Sequence, residues 1–313
     1  MGEWKPRIAV VGAGAMGCLF GGLLSDGGLD VTLIDVWQEH VDLINRNGLQ
    51  MLGYGGDRSI SVRATTDPGD MESVDVMFVQ CKAPYTKDAV RRVLHLLRED
   101  SVAISFQNGL GNEENIGKVT GMERVLGGVT AQGAAVEGPG AVRNFGNLPT
   151  HIGEMGGGIS ERAERIAAAL DRAGLQTSAV ADVRQAIWKK LLANIAISPT
   201  SAIANMTIKQ VFAVPELRET AFEALDEAVE VARAEGIDLN AAETREVINQ
   251  IAGPEGTGDN KSSLCVDILN RRPCEVDVIS GAVVRLGREH GIPTPVNKTL
   301  VAAIKALESH YLT

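Results

Sequence analysis

Three observations on the sequence predict an α/β protein in two parts, a doubly wound sheet followed by an all-helical domain. Short β-rich runs alternate with helical stretches through roughly the first 180 residues, the pattern of strands covered by crossover helices. Beyond Asp182 the β-rich runs vanish and long amphipathic patterns take over. Glycine is in excess, 35 of 313 residues, and most of it falls before residue 182. The spacing predicts domains over 1–181 and 182–313, with no low-complexity linker between them.

Within the first part the expected strands are Arg7–Val11, Asp30–Ile34, Val74–Gln80, Val102–Phe106 and Val125–Val129. Helices are expected over Ala15–Ser25, Glu39–Asn45 (stopped by Gly48) and Thr86–Leu97. From Thr130 to Gly158 short β pieces at Ala134–Val136, Ala141–Phe145 and His151–Ile152 suggest an antiparallel extension of the sheet, before a helix over Glu161–Ala173. The second part reads as helices over Val183–Ile197, Pro215–Glu235, Ala241–Ile251, Ser262–Leu269, Glu275–His290 and Val296–Ser309. Pro199, Pro273, Pro293 and Pro295 are expected to punctuate them.

Composition excludes several functions. Thirty Lys+Arg against forty Asp+Glu give a net charge of −10, which repels phosphate backbones, so no nucleic-acid partner is expected. Cys18, Cys81, Cys265 and Cys274 form no C-x-x-C pair and carry no zinc-site spacing, so no metal is expected and the thiols read as reduced in a cytoplasmic protein. The uncharged stretch Ile8–Leu24 resembles a signal peptide, but five of its seventeen residues are glycine, which breaks the continuous apolar helix such a segment needs. No stretch is long and apolar enough to span a bilayer, and no membrane partner is expected.

The strongest motif is Arg7-Ile-Ala-Val-Val11 followed by Gly12-Ala-Gly14-Ala15-Met16-Gly17 and an apolar helix, the strand, turn and helix of a dinucleotide-binding, Rossmann-type domain. Gly12 permits the tight turn, Gly14 lets backbone approach a pyrophosphate, and Gly17 allows helix to pack on strand; Ala15 and Met16 open the helix whose N-terminus faces the anion. Asp35 ends the second strand 23 residues after Gly12, where a carboxylate binds both ribose hydroxyls of NAD and repels a 2′-phosphate. Val36, Trp37 and Gln38 offer no cation to hold that phosphate, so NAD is favoured over NADP. A solvated carboxylate at a strand end is the plain alternative.

A second constellation lies close to the expected domain boundary. Lys190 and Asn194 are four residues apart and share a helix face, with Ser198 extending the line. Ile187, Trp188, Leu191 and Ile195 around them are apolar. Partial desolvation there disfavours the ammonium and brings a lysine toward the pKa a general acid needs. Ordinary solvated helix lysines at Lys189 and Lys190 are the simpler reading of that pair alone. None of the five histidines falls in a catalytic pattern, and no G-x-S-x-G elbow appears.

Taken together, Gly12–Gly17, Cys81-Lys82-Ala83, Gln107-Asn108-Gly-Leu-Gly111, Trp188-Lys-Lys190-Leu-Leu-Ala-Asn194, Ser262-Ser263 with Asp267, Glu275-Val-Asp277 and His290-Gly-Ile-Pro-Thr-Pro295 resemble the ketopantoate reductases (2-dehydropantoate 2-reductases) over almost the whole chain. The resemblance implies reduction of a small 2-oxo acid with Lys190 as proton donor. It places Glu275 beside the lysine to orient it or bind a substrate hydroxyl, and Asn194, Ser198 and Ser263 on the substrate. It places Asn108 at the nicotinamide ribose, helping to order the lysine, and Lys82 along the cofactor. Two departures stand out: Ser198 occupies a position where some relatives carry a second asparagine, and Val36 replaces the arginine of NADP-using relatives. D-2-hydroxyacid dehydrogenases of the same superfamily, acting on substrates such as D-mandelate with NAD, are therefore the alternative. A non-catalytic NAD-binding sensor is the competing class. The apolar helices Pro215–Glu235 and Glu275–His290 suggest a homodimer.

Overall fold

A computed structural model describes residues 4–256 and 258–312. The chain divides into two compact units, one taking residues up to Gln107 together with Asn112–Arg184, the other Asn108–Gly111 together with Gln185 onward.

The first unit contains, in chain order, β1 (Arg7–Val11), α1 (Ala15–Asp26), β2 (Asp30–Ile34), α2 (Gln38–Asn47), β3 (Leu49–Gly53), β4 (Arg58–Ile60), β5 (Arg63–Thr65), β6 (Val74–Val79), α3 (Thr86–Arg92) and β7 (Leu97–Ser105). There follow α4 (Asn112–Thr120), β8 (Val125–Thr130), β9 (Ala134–Gly138), β10 (Ala141–Asn144), β11 (Thr150–Glu154), α5 (Glu161–Arg172) and β12 (Thr177–Ala179). Eight strands form one sheet in the order β12-β11-β8-β7-β6-β1-β2-β5, parallel except where β11 runs against β8. Alternation along β1 explains the double winding. Ile8 and Val10 join a core with Phe20 and Leu24 of α1 and Leu170 of α5, while Ala9 and Val11 join another with Val90 of α3 and Ile116 of α4. Phe20, Phe78 and Phe106 meet edge to face at centroid distances of 5.0–6.2 Å, contacts each worth about 0.5–1.5 kcal/mol beyond their buried area.

The antiparallel extension expected after Thr130 is only partly realised. Thr150–Glu154 does pair antiparallel with β8, but β9 and β10 leave the main sheet and form a second one, in the order β4-β3-β10-β9. Packing decides this: Val142 of β10 and Met51 of β3 are fully buried in the same core as α1, and this small sheet covers the apolar side of that helix. The helix expected over Thr86–Leu97 stops at Arg92, and a short 3-10 turn leads straight into β7 at Leu97. Strands β3, β4, β5 and β12 and helix α4 were not legible; three of those strands are only three residues long, too short for a period to show.

The second unit holds α6 (Val183–Ala204), α7 (Ile208–Ala213), α8 (Pro215–Ala234), α9 (Ala241–Ala252), α10 (Ser263–Leu269), α11 (Ser280–His290) and α12 (Pro295–Glu308). Two expectations fail here. Pro199 does not end its helix but lies inside α6. The ring removes one amide donor, yet the Thr200 hydroxyl donates to the carbonyls of Ala196 and Ile197 at 2.9 and 3.1 Å, and the surrounding residues are fully buried, so tertiary packing carries the helix through. Glu275 is not helical either: it opens a turn whose residues Val278 and Ile279 both donate to its carbonyl, at 3.2 and 3.1 Å, and the helix begins at Ser280. Pro295 is the first residue of α12, where a missing amide costs nothing. Buried Ala221, Ala224, Ala228 and Ala232 of α8 let α11 and α12 approach closely. Apolar residues of α8 and α11 share one core within the unit.

Candidate active site

In the first unit, the order of the sheet reverses direction at β1, whose neighbours are β2 and β6; ligands of doubly wound sheets bind beyond the strand ends at such a point. The chain leaving β1 turns at Gly12, with φ +100 and its amide donating to the Ile34 carbonyl at 2.8 Å. A Cβ at Gly12 would lie 2.5 Å from the Cys81 nitrogen, and one at Gly17 only 1.9 Å from the Gly12 carbonyl oxygen. Backbone therefore fills the space where side chains would stand. Gly14 caps α1 with no side-chain hydrogen bond and no acid in the first turn, and a Cβ there would meet no protein atom within 4 Å. The amides of Ala15 and Met16 belong to the first helical turn, which has no intrahelical partner for them. An open approach, a bare helix N-terminus and absent Cβ atoms together fit a dinucleotide's pyrophosphate.

Asp35 is partly exposed at the end of β2. Its Oδ2 accepts the Ala13 amide at 2.7 Å and its Oδ1 the amides of Val36 and Trp37 at 2.8 and 3.0 Å. The carboxylate is thus fixed next to the glycine loop while Val36, immediately after it, is 80% exposed. Lys82 precedes a 3-10 turn over Ala83–Tyr85 at the end of β6. Two further side chains shape this site without having been assigned a role from the sequence. Gln107 donates its Nε2 to the Cys81 carbonyl and to Thr86 Oγ1 at 2.8 Å, tying down the loop that carries Lys82. His40 is fully buried, accepts the Gly140 amide on Nδ1 at 2.9 Å and places Nε2 3.2 Å from Cys18 Sγ. The Cys18 thiol in turn donates to the Ala13 carbonyl at 3.1 Å. Burial lowers the His40 pKa, against the raising influence of Asp35, and pushes the Cys18 thiol up to about 12. Their position on α1 and α2 carried no motif; only the fold brings them under the loop.

In the second unit, α6 presents Lys190, Asn194 and Ser198 one turn apart. Burial pushes the Lys190 amine down to about 8, and the nearby Glu275 carboxylate works the other way. Asn108 donates its Nδ2 to Glu275 Oε2 at 3.3 Å. That contact requires the 108–111 segment to lie on the Glu275 turn. Gly109, at φ +90, sits where a Cβ would be 2.3 Å from the Val278 carbonyl oxygen, and Leu110 donates its amide to that oxygen at 2.8 Å. The structure therefore gathers Lys190, Glu275 and Asn108. Ser262, not Ser263, caps α10, accepting the Cys265 amide at 3.2 Å. The Ser262 hydroxyl also reaches the Ser198 carbonyl at 3.2 Å, fastening α10 to the far end of the Lys190 helix. Ser263 is left exposed on the first turn of α10, whereas Ser198 is buried.

A dinucleotide cradle built from backbone and a half-buried, desolvated amine under the influence of a carboxylate define the class, a nicotinamide-dependent oxidoreductase. The sequence model described as ketopantoate reductase PanE/ApbA matches residues 8–157, and that of ketopantoate reductase PanE/ApbA C terminal matches residues 182–308. The chain is 35% identical over 304 residues to the 2-dehydropantoate 2-reductase of Archaeoglobus fulgidus, covering 97% of this chain and 98% of that one. It is 31% identical over 300 residues to that of Halobacterium salinarum, covering 96% and 98%. Among solved structures it resembles a ternary structure of D-mandelate dehydrogenase with NADH and anilino(oxo)acetate, with a TM-score of 0.93, 28% identity and coverage of 98% and 100%. A ketopantoate reductase of the same family from Ralstonia eutropha gives a TM-score of 0.90 at 28% identity, covering 98% and 100%. The chain belongs to the ketopantoate reductase family, whose members are NAD(P)-dependent oxidoreductases acting on a 2-oxo acid. Among the described residues no helix is long and apolar enough to cross a membrane.

Proposed function

We propose that the chain reduces ketopantoate to D-pantoate, with Lys190 as the general acid. The observation that carries this reading is the Lys190 amine, held near a pKa of about 8 by burial and flanked by Glu275. Bound at the Gly12–Gly17 loop, the dinucleotide supplies the hydride for the carbonyl carbon. Lys190 gives its proton to the oxygen that becomes the alcohol, and a donor with a pKa close to the working pH does this efficiently. Glu275 favours the ammonium form and, steadied by Asn108, orients it. Asn194 and Ser263 hold the substrate's carboxylate and hydroxyl, with the backbone at Ser198 fixing their helices relative to each other.

We assign NAD as the preferred cofactor on Asp35, whose carboxylate is fixed by three amides with no cation at Val36, Trp37 or Gln38. The same feature supports the second reading, a D-2-hydroxyacid dehydrogenase, because the D-mandelate dehydrogenase it resembles holds NADH. A panel of ketopantoate, 2-oxoisovalerate, 2-oxoisocaproate and benzoylformate with NADH and with NADPH, compared by kcat/KM, separates them. Ketopantoate with NADH is expected to lead; better turnover of benzoylformate would hand the assignment to the second reading. A preference for NADPH would sink the role of Asp35, and tight NADH binding with no turnover of any 2-oxo acid would favour a sensor.

A further inference from the structure

We propose that Glu308 and Lys305 of α12 are positioning residues that hold the Glu275 turn against the Lys190 amine. The inference rests on the reading of Lys190 as proton donor and extends it to α12, a helix outside the proposed Lys190, Glu275 and Asn108 cluster.

The turn is held from two sides. On one, the 108–111 segment grips its middle through Leu110 and the Val278 carbonyl. On the other, α12 grips both shoulders of Glu275. The Cys274 amide, one residue before it, donates to Glu308 Oε1 at 2.8 Å. Asp277, two residues after it, accepts from the Lys305 ammonium at 2.5 Å, and Lys305 also pairs with Glu308 at 3.3 Å. A carboxylate near the end of the last helix has no need to be buried, yet Glu308 is only 5% exposed. Burying a charge is costly unless it is paired and hydrogen-bonded. Burial works against ionisation of Glu308, but the Cys274 amide and the Lys305 ammonium outweigh it and hold the carboxyl below its usual range. The buried anion is thus sustained by the turn that it braces.

The charged and titratable groups around the turn are Glu275, Asp277, Glu308 and Lys305, with the Cys274 thiol pushed up to about 12, chiefly by burial. Tyr311, at the foot of the same helix, donates its hydroxyl to the Arg272 carbonyl at 3.2 Å. Glu275 is the carboxylate whose charge acts on Lys190; the neighbouring Lys189 pairs instead with Glu243 at 3.8 Å. Loosening the turn therefore removes the one carboxylate that raises the Lys190 pKa, and the amine must titrate at lower pH.

The test is the titration of Lys190 in the full chain, read by competitive acetic anhydride labelling and mass spectrometry across pH, beside kcat/KM profiles for the 2-oxo acid. In Glu308→Ala the Lys190 pKa is expected to fall by about half a unit or more, and the alkaline limb of the rate profile moves the same way, while the Kd for NADH stays within about twofold. Glu308→Gln keeps an acceptor for the Cys274 amide and restores part of the shift. Lys305→Met produces a smaller shift in the same direction and serves if Glu308→Ala does not fold. An unchanged Lys190 titration in folded variants, even with a lowered Tm, overturns the proposal, because a purely structural brace would give that result. If the wild-type chain turns over no 2-oxo acid while Lys190 still shifts in the variants, the proposed function fails and the positioning stands.

Discussion

The two units solve their chemical tasks with different materials. In the first, the candidate cofactor site is made of backbone: amides of an uncapped helix, carbonyls, and positions where a Cβ is forbidden or would fill open space. In the second, the candidate catalytic cluster is made of side chains from segments more than eighty residues apart, Asn108, Lys190 and Glu275. Backbone recognition is tuned by local conformation, so a short motif encodes it. A side-chain cluster is tuned by burial and by neighbouring charge, which only the folded chain supplies.

The comparison can be broken at its strongest point. Lys190→Ala is expected to lower kcat/KM for a 2-oxo acid by about 10²–10⁴-fold while NADH binding, followed by fluorescence titration, is retained. Loss of NADH affinity in that variant would mean that the two tasks are not divided as described. Gly17→Ala should do the reverse damage: its Cβ would lie 1.9 Å from a backbone oxygen, and overpacking of that kind costs about 1–3 kcal/mol together with cofactor affinity. Gly14→Ala sharpens the point, since its Cβ meets no protein atom. NADH should bind more weakly with Tm unchanged, and a Tm loss equal to that of Gly17→Ala would refute the assignment of Gly14 to the ligand.

A subtler contrast concerns two groups that burial shifts in opposite directions. Burial pushes the Lys190 amine down to about 8 and the Glu113 carboxyl, at the start of α4, up to about 8. The first shift suits the proposed acid catalyst; the second has a consequence for folding stability. A carboxyl whose folded pKa is raised contributes stability that is complete below its unfolded value and is lost as pH rises toward the folded one. Stability from Glu113 should therefore decline between about pH 4.5 and 8. Glu113→Gln should remove that part of the decline in urea unfolding and make the chain more stable than wild type at pH 8–9. If the variant is less stable throughout, Glu113 is held as an anion and its burial is compensated by contacts of its own.

Much of the first unit could be read directly. The strands at Arg7–Val11 and Asp30–Ile34 were placed to the residue, and the Gly12–Gly17 loop with Asp35 follows them as the fingerprint requires. What failed were pieces whose partners are remote. The β9 and β10 hairpin looked like more of the same sheet, because alternation states that a strand has a buried face but not which layer buries it. The roles of His40 and Gln107 stayed hidden for the same reason: one lies under the glycine loop through Cys18, the other braces Cys81, and neither spacing is local. The Glu275 turn read as helix because its apolar residues, Val276 and Ile279, fit a helical period while actually being buried around a turn.

By itself the sequence determined the class of fold, the strand, glycine loop and helix around Gly12–Gly17 with Asp35 after the second strand, and a lysine and asparagine on one helix face. These follow from periodicity and from steric rules that act within a few residues. Tertiary structure alone decided that Asn108 reaches Glu275, that α6 runs through Pro199, that Ser262 rather than Ser263 caps its helix, and that α12 grips the turn beside Lys190. Each of these depends on which surfaces exclude water from one another. Desolvation, which brings an ordinary lysine to a pKa of about 8, belongs to the assembled core and to no single segment of the chain.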